Sequence, residues 1–229
     1  MSLIYPPICT ICSASVGSHD YLCSDCEAKL SRIAAPFCSK CSEPFDGAIT
    51  TPFSCANCAH RKLYFDTAVS AYRSRGIVRQ VILNFKYGRQ IYLRHLMGHW
   101  LIAALDDLRI RDRKFDAIIP VPLHPAKQRE RGFNQAALLA GLVAVHLGVR
   151  VSPALERVRF TTTQTAFDRA ERMQNLRHAF RLRRNADVRR LDVLLIDDVL
   201  TTGSTLSECA RILKENGARA VYAATAARA

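Results

Sequence analysis

Residues Val193 to Thr205 read V-L-L-I-D-D-V-L-T-T-G-S-T, and each part of that run has a chemical use. An apolar strand pattern ends in two carboxylates, Asp197 and Asp198, which can accept hydrogen bonds from a sugar diol. The stretch Thr201-Thr202-Gly203-Ser204-Thr205 follows. Its backbone N–H groups and hydroxyls, with the positive end of the helix it opens, suit a phosphate. Side by side, the two features describe a pocket for a phosphorylated ribose.

Metal-binding side chains are the second chemical signal. Eight of the nine cysteines fall in four C-x-x-C pairs: Cys9/Cys12, Cys23/Cys26, Cys38/Cys41 and Cys55/Cys58. A tight C-x-x-C turn lets two thiolates grip one face of a tetrahedral ion, and two turns complete a four-thiolate structural zinc site. Sequential pairing gives one zinc from the first four cysteines and a second from the last four; interleaved pairing is left open by spacing alone. His19 and His60 are not needed to complete either set. A disulfide framework needs an oxidising compartment, and a redox C-x-x-C is normally single and sits at a helix start. The segment has few apolar residues, so metal is expected to supply most of its folding free energy, on the order of 10–16 kcal/mol per site. Cys209 differs: with Leu206, Ala210 and Leu213 it makes the core face of a helix and is expected to be a packed thiol.

The elements that must position these groups alternate in type. Strands are predicted at 67–72, 115–121, 180–182, 191–197 and 220–225, and helices at 75–87, 92–108, 134–147 and after Gly203. Thr205 with Glu208 reads as a capping box and Gly217 as a helix C-terminal cap. Residues 119–135 read as a strand end followed by a polar loop, and residues 157–178 as a basic, weakly periodic loop. Such alternation argues an α/β fold with a mainly parallel sheet flanked by helices. Ligands in such sheets sit at the carboxyl ends of the strands, where Asp197 and Asp198 lie. A boundary near residue 62 divides the chain into a small zinc-ribbon domain, 1–62, and an α/β domain, 63–229.

Charge follows the same division. The chain of 229 residues carries a formal net charge of +13, and residues 1–62 hold five basic and five acidic side chains, so the whole excess belongs to the remainder. Such a body favours polyanionic partners. No acid occurs between Asp66 and Asp106, where Arg73, Arg75, Arg79, Lys86, Arg89 and Arg94 interleave with Tyr72, Phe85, Tyr87 and Tyr92. That mixture can grip single-stranded nucleic acid, although two amphipathic helices would use the aromatics as core. No apolar stretch reads as a membrane span and no signal peptide is evident, so a cytoplasmic protein without membrane insertion is expected.

The Asp197–Thr205 run resembles the PRPP-binding motif of type I phosphoribosyltransferases. The resemblance implies that the paired acids hold the ribose hydroxyls, that Thr201 to Thr205 hold the 5′-phosphate, and that Mg2+ accompanies PRPP. By position, Leu123 and His124 look like the pyrophosphate loop of that fold. The cysteine pairs, the F-K-Y-G stretch at Phe85 to Gly88, the R-G-F-N-Q run from Arg131 to Gln135, the Gln164/Arg172/Asn175 pattern and the final A-A-R-A are similar to the ComF competence-protein branch. In that likeness Arg172 lies on the loop that closes over PRPP, and Lys86 and Arg131 serve the same anion. The implied activity is phosphoribosyl transfer with pyrophosphate release to an acceptor that the residues do not name. The alternative is a non-catalytic single-stranded-DNA-handling protein of natural transformation that works with other competence proteins and uses the fold as a ligand sensor.

Overall fold

The computed structural model describes residues 7–18, 20–159 and 178–229; His19, Gln164, Arg172 and Asn175 lie outside them. In chain order the elements are α1 (Ser24–Ala28), α2 (Ala56–Ala59), β1 (Thr67–Arg73), α3 (Gly76–Tyr87), α4 (Arg94–Leu105), β2 (Ala117–Pro120), α5 (Pro125–Arg131), α6 (Gln135–Leu147), β3 (Leu155–Arg157), β4 (Phe180–Leu182), β5 (Asp192–Leu200), α7 (Ser204–Glu215) and β6 (Ala220–Arg228). Strands β1, β6, β5 and β2 lie side by side in that order, and every pairing is parallel. Strands β3 and β4 pair separately and antiparallel.

Strand β5 is apolar along most of its length because both its faces are covered. Leu194 and Ile196 share a core with α3, α4 and α6; Val193 and Leu195 share the other core with α7, β3 and β4. Cys209 is fully buried in the second core, as its helical spacing predicts, and burial pushes its thiol pKa up. Helix α7 closes on a Schellman arrangement, with Ala218 N–H donating to Leu213 O at 3.0 Å and Gly217, at φ +92°, donating to Lys214 O at 3.0 Å.

Three local readings are corrected. Residues 125–131 are helical rather than loop: Pro125 opens α5, the His124 ring accepts from Ala126 N–H at 3.2 Å, and Gly132 ends it at φ +84°. Thr205 does not cap α7, because the helix already starts at Ser204 on Gly203, and Glu208 turns instead to Arg211 and the His178 N–H. The predicted helix 92–108 begins as a 3-10 turn at Ile91–Leu93 and ends at Leu105.

The cysteine-rich segment is built onto the sheet. Ile33 N–H donates to Ala71 O at 2.9 Å and Arg73 N–H to Ser31 O at 2.8 Å, so residues 31–33 run antiparallel along the outer edge of β1. Ala68 N–H donates to Lys40 O at 2.9 Å further along. Cys9, Leu22 and Cys26 are buried in the core of α3, α4 and α6, whereas Cys38 and Cys41 are buried in the core of α7. The two halves of the segment thus straddle the sheet edge, and their few buried residues join the two cores of the body.

Candidate active site and cysteine clusters

Strand β2 stops at Pro120, opposite Ile196, while β5 continues beside β6 to Leu200. Asp197 and Asp198 therefore lie just past the last rung of β2, in the notch where the chain after β2 peels away. Alternation along a strand sends them to opposite faces. Asp198 is 3% exposed, and its Oδ2 meets Lys86 Nζ, from the last turn of α3, at 2.5 Å. Asp197 accepts from the Asp198 N–H at 2.9 Å. Burial, with the Asp198 charge beside it, pushes the Asp197 carboxyl up to about 8, against the pull of Lys86.

Cations gather around this pair. Burial depresses the Lys127 ammonium, and the like charges of Arg157, Arg131 and Lys86 add to the effect. Arg157, at the end of β3, is depressed by burial, with Cys209 and Asp197 opposing. Arg131 is fixed by Gln135 Oε1 at 2.6 Å and by the Tyr87 ring, 5.2 Å from its guanidinium carbon. Leu123 and His124 are half-buried at the end of β2, where Val121 N–H continues the ladder to Ile196 O at 2.9 Å. Asn134 holds that segment: its amide nitrogen donates to Val121 O at 3.1 Å, and its oxygen accepts from Ala136 N–H at 2.9 Å.

Thr201 to Thr205 join β5 to α7. Gly203 takes φ +75° as the helix N-cap, a left-handed conformation that favours glycine. Ser207 N–H donates back to Gly203 O at 2.8 Å, and the Thr202 and Ser204 hydroxyls lie 2.9 Å apart. Thr201 is exposed, and Thr202 and Thr205 are half-buried. The arrangement sets a loop at a helix N-terminus, one buried and one half-buried acid and a group of cations along the carboxyl ends of β2 and β5. A ligand with a phosphate at one end, hydroxyls in the middle and more anionic charge at the other fits that order. Of the residues predicted for the site, Asp197, Asp198 and Lys86 are in contact or ion-paired; Thr201 to Thr205 follow at the carboxyl end of β5, and Leu123, His124 and Arg131 lie in the segment after β2. Arg172 lies outside the described residues.

The cysteines form two sets in sequential pairing, Cys9/Cys12/Cys23/Cys26 and Cys38/Cys41/Cys55/Cys58, each with all its sulfurs within 4.8 Å of one another. Cys12 and Cys23 sulfurs are 3.5 Å apart, and those of Cys41 and Cys55 are 3.7 Å apart. A tetrahedral site with Zn–S bonds of about 2.3 Å has edges of about 3.8 Å, so both sets fit zinc. In the second, Cys55 N–H donates to Cys38 Sγ at 3.3 Å. That set also touches the loop after β5. Asn57 Nδ2 donates to Thr202 O at 3.1 Å, and Arg61 Nη2 donates to Ser204 Oγ at 3.0 Å.

Residues 1–60 match the family described as Double zinc ribbon domain, and residues 134–229 match Phosphoribosyl transferase domain. The chain is 32% identical over 214 residues to Competence protein F of Haemophilus influenzae, covering 91% of this chain and 90% of that one. The chain belongs to the competence protein F family. Within it, the DNA utilization protein YhgH of Salmonella typhimurium is 31% identical over 227 residues, 96% of each chain. Among solved structures, the adenine phosphoribosyltransferase of Saccharomyces cerevisiae aligns with 59% of this chain and 68% of that one at 17% identity, with a TM-score of 0.38, a likeness too slight to carry an argument. As in the family, a double zinc ribbon precedes a phosphoribosyltransferase domain with a parallel sheet flanked by helices. No helix among the described residues is long and apolar enough to cross a membrane. Sequence reasoning did not single out Arg157, Asn57, Arg61 or Lys127. Asn57 and Arg61 carry no motif that would reveal their partners.

Proposed function

We propose that the body binds PRPP with Mg2+ and transfers its phosphoribosyl group to an acceptor with release of pyrophosphate, in the handling of DNA. The observation that carries the reading is the Asp197–Asp198 pair, whose buried member Asp198 is tied to Lys86 at 2.5 Å, with the Thr201–Thr205 loop following in the chain and Lys127, Arg131 and Arg157 supplying cationic charge. In this reading Asp197 and Asp198 orient the ribose hydroxyls, and the loop anchors the 5′-phosphate. Leu123, His124 and the cations receive the diphosphate and stabilise the charge that develops on it as the bond to C1′ breaks. The two carboxylates are hard oxygen donors of the kind Mg2+ prefers; burial is the main cause of the raised Asp197 carboxyl, and the Asp198 charge that adds to it is one a divalent cation would offset. Bound with the substrate, Mg2+ would offset diphosphate charge. The names of the relatives, Competence protein F and DNA utilization protein, support the biological setting. Calorimetry with PRPP, with and without Mg2+, tests the reading: wild type is expected to release heat, and the Asp197→Asn/Asp198→Asn double variant to lose it. No heat from the wild type under either condition would overturn the proposal.

A second reading, direct binding of single-stranded DNA, is favoured by one observation. The interleaved aromatics divide: Tyr72 and Phe85 are core, whereas Tyr87 is 69% and Tyr92 48% exposed, and Tyr87 lies beneath the Arg131 guanidinium. An exposed aromatic beside a cation can stack a base and neutralise a phosphate. Anisotropy of a labelled single strand should show binding that weakens with salt and survives the double Asp variant. A strand that stays free at low salt would remove this reading.

A further inference from the structure

The second cysteine cluster does more than close its own knuckle. Asn57 lies between two of its ligand positions, Cys55 and Cys58, on the single turn of α2, and Arg61 follows four residues after it. Both side chains turn to the loop after β5. Asn57 Nδ2 and Arg61 Nη1 donate to Thr202 O at 3.1 and 3.3 Å, Arg61 Nη2 donates to Ser204 Oγ at 3.0 Å, and Arg61 Nη1 also donates to Asn57 Oδ1 at 2.7 Å. The next stretch of chain adds a contact, Tyr64 N–H to Ser207 Oγ at 3.1 Å.

Two consequences follow for the loop. A trans peptide points its C=O and N–H in opposite directions. With Thr202 O drawn to the ribbon, the Gly203 N–H is turned to the side away from it. Ser204 Oγ, accepting from Arg61, sends its own proton elsewhere, to Thr202 Oγ1 at 2.9 Å or to a ligand. Close packing does not do this work on the outer side. A cavity of about 480 Å³ opens between Ala56 and Asn57 on one side and Thr201, Thr202 and Arg228 on the other. The inner side rests on Phe65, which a Cβ at Gly203 would approach to 3.4 Å. The conformation of Thr202 and Ser204 is therefore held on the ribbon side by hydrogen bonds from two residues whose own placement depends on Cys55 and Cys58.

We infer that the second four-cysteine cluster is a positioning element of the phosphate subsite. Asn57 and Arg61 hold the loop in its ligand-presenting conformation and make affinity for a sugar 5′-phosphate depend on the state of the metal cluster. The inference rests on the PRPP reading above for the identity of the ligand, but the clamp itself does not. Loss of the second metal, by chelation or by oxidation of its thiolates, would loosen the loop without touching the acid pair.

Arg61→Ala and Asn57→Ala keep all eight ribbon cysteines and test the idea. Ribose 5-phosphate and pyrophosphate are titrated separately by calorimetry. Each variant should bind ribose 5-phosphate about tenfold more weakly, the scale of a charge-assisted hydrogen bond, with pyrophosphate unchanged and Arg61→Lys recovering part of the loss. Unchanged ribose 5-phosphate binding, or equal loss of both ligands, would overturn it. Hydrogen exchange of the peptide spanning residues 200–206 gives a readout free of any ligand. Exchange should quicken in both variants and in wild type stripped of metal; identical exchange in all samples sinks the clamp. If wild type bound neither ligand while exchange still responded, the clamp would stand and the PRPP reading alone would fall.

Discussion

Asp197 and Asp198 are neighbours on a buried strand, and one Lys86 cannot serve both. Asp198 has the ion pair; Asp197, pushed up to about 8, holds its proton far above the usual carboxylate range. The unfolded chain gives that proton up near pH 4, so between about 4 and 8 the folded state binds the extra proton and stability falls as pH rises. Above about 8 both states are ionised, and the difference stays constant. Asp197→Asn should thus be more stable than wild type at pH 8.5, by up to about 5 kcal/mol, and should lose most of that advantage by pH 4.5. Urea unfolding at the two pH values measures it; an advantage that grows as pH falls would contradict the assignment. The acids were legible in the sequence because two carboxylates interrupt an otherwise apolar run just before a Thr/Gly/Ser turn. Arg157 was not, because it ends a three-residue strand with no periodicity of its own. Asn57 and Arg61 were not, because their partners lie more than 140 residues away in the chain.

Elements with strong local signals were readable, and the failures have local causes. The apolar runs of β2 and β5 and the Ala/Leu-rich pattern of α6 needed no tertiary information. Helix α5 was hidden behind three prolines, although Pro125 at its first turn and Gly132 after its last are the ends such a helix should have. The capping-box reading of Thr205 failed because Gly203 begins α7 two residues earlier than that pattern requires. This start depends on a backbone that only glycine adopts cheaply. A Cβ at Gly203 would find ordinary contacts at 3.4–3.5 Å with Phe65 and Leu200, so the cost of Gly203→Ala is in its left-handed φ. The variant should lose about 1–2 kcal/mol of stability, seen in urea unfolding, and bind ribose 5-phosphate more weakly as the loop relaxes. Retained stability with retained binding would mean that the loop tolerates another turn geometry.

At the scale of the whole molecule, the sequence suggested a small ribbon module placed before an α/β body. The structure shows the two sharing an edge and two cores, which the composition of either part could not reveal. Tyr72 of β1 is the meeting point: the Arg32 guanidinium carbon lies 5.5 Å from its ring centre on one side, and Trp100 of α4 packs 5.1 Å from it on the other. Trp100 is the only tryptophan in the chain and is 3% exposed, so its fluorescence reports on the body near the ribbon junction. Purified protein should carry two zinc per chain, and chelation, which removes the ribbon's own folding energy, should lower the thermal midpoint of the body followed through Trp100 by about 5–10 °C, as for a loss of about two to three kcal/mol of ribbon–body packing in a chain of this size. An unchanged midpoint after complete metal removal would show that the ribbons stand apart energetically.

The sheet order has a consequence for how the chain is made. Strand β6, Ala220–Arg228, sits between β1 and β5 in the sheet and follows both of them in the chain. The cysteine pairs leave the ribosome before the sheet does and can capture metal at once, whereas β1 must wait for its neighbour until β6 has been made. A chain grown no further than β1 is therefore a metal carrier whose sheet is still open, and the four strands join only once β6 is made.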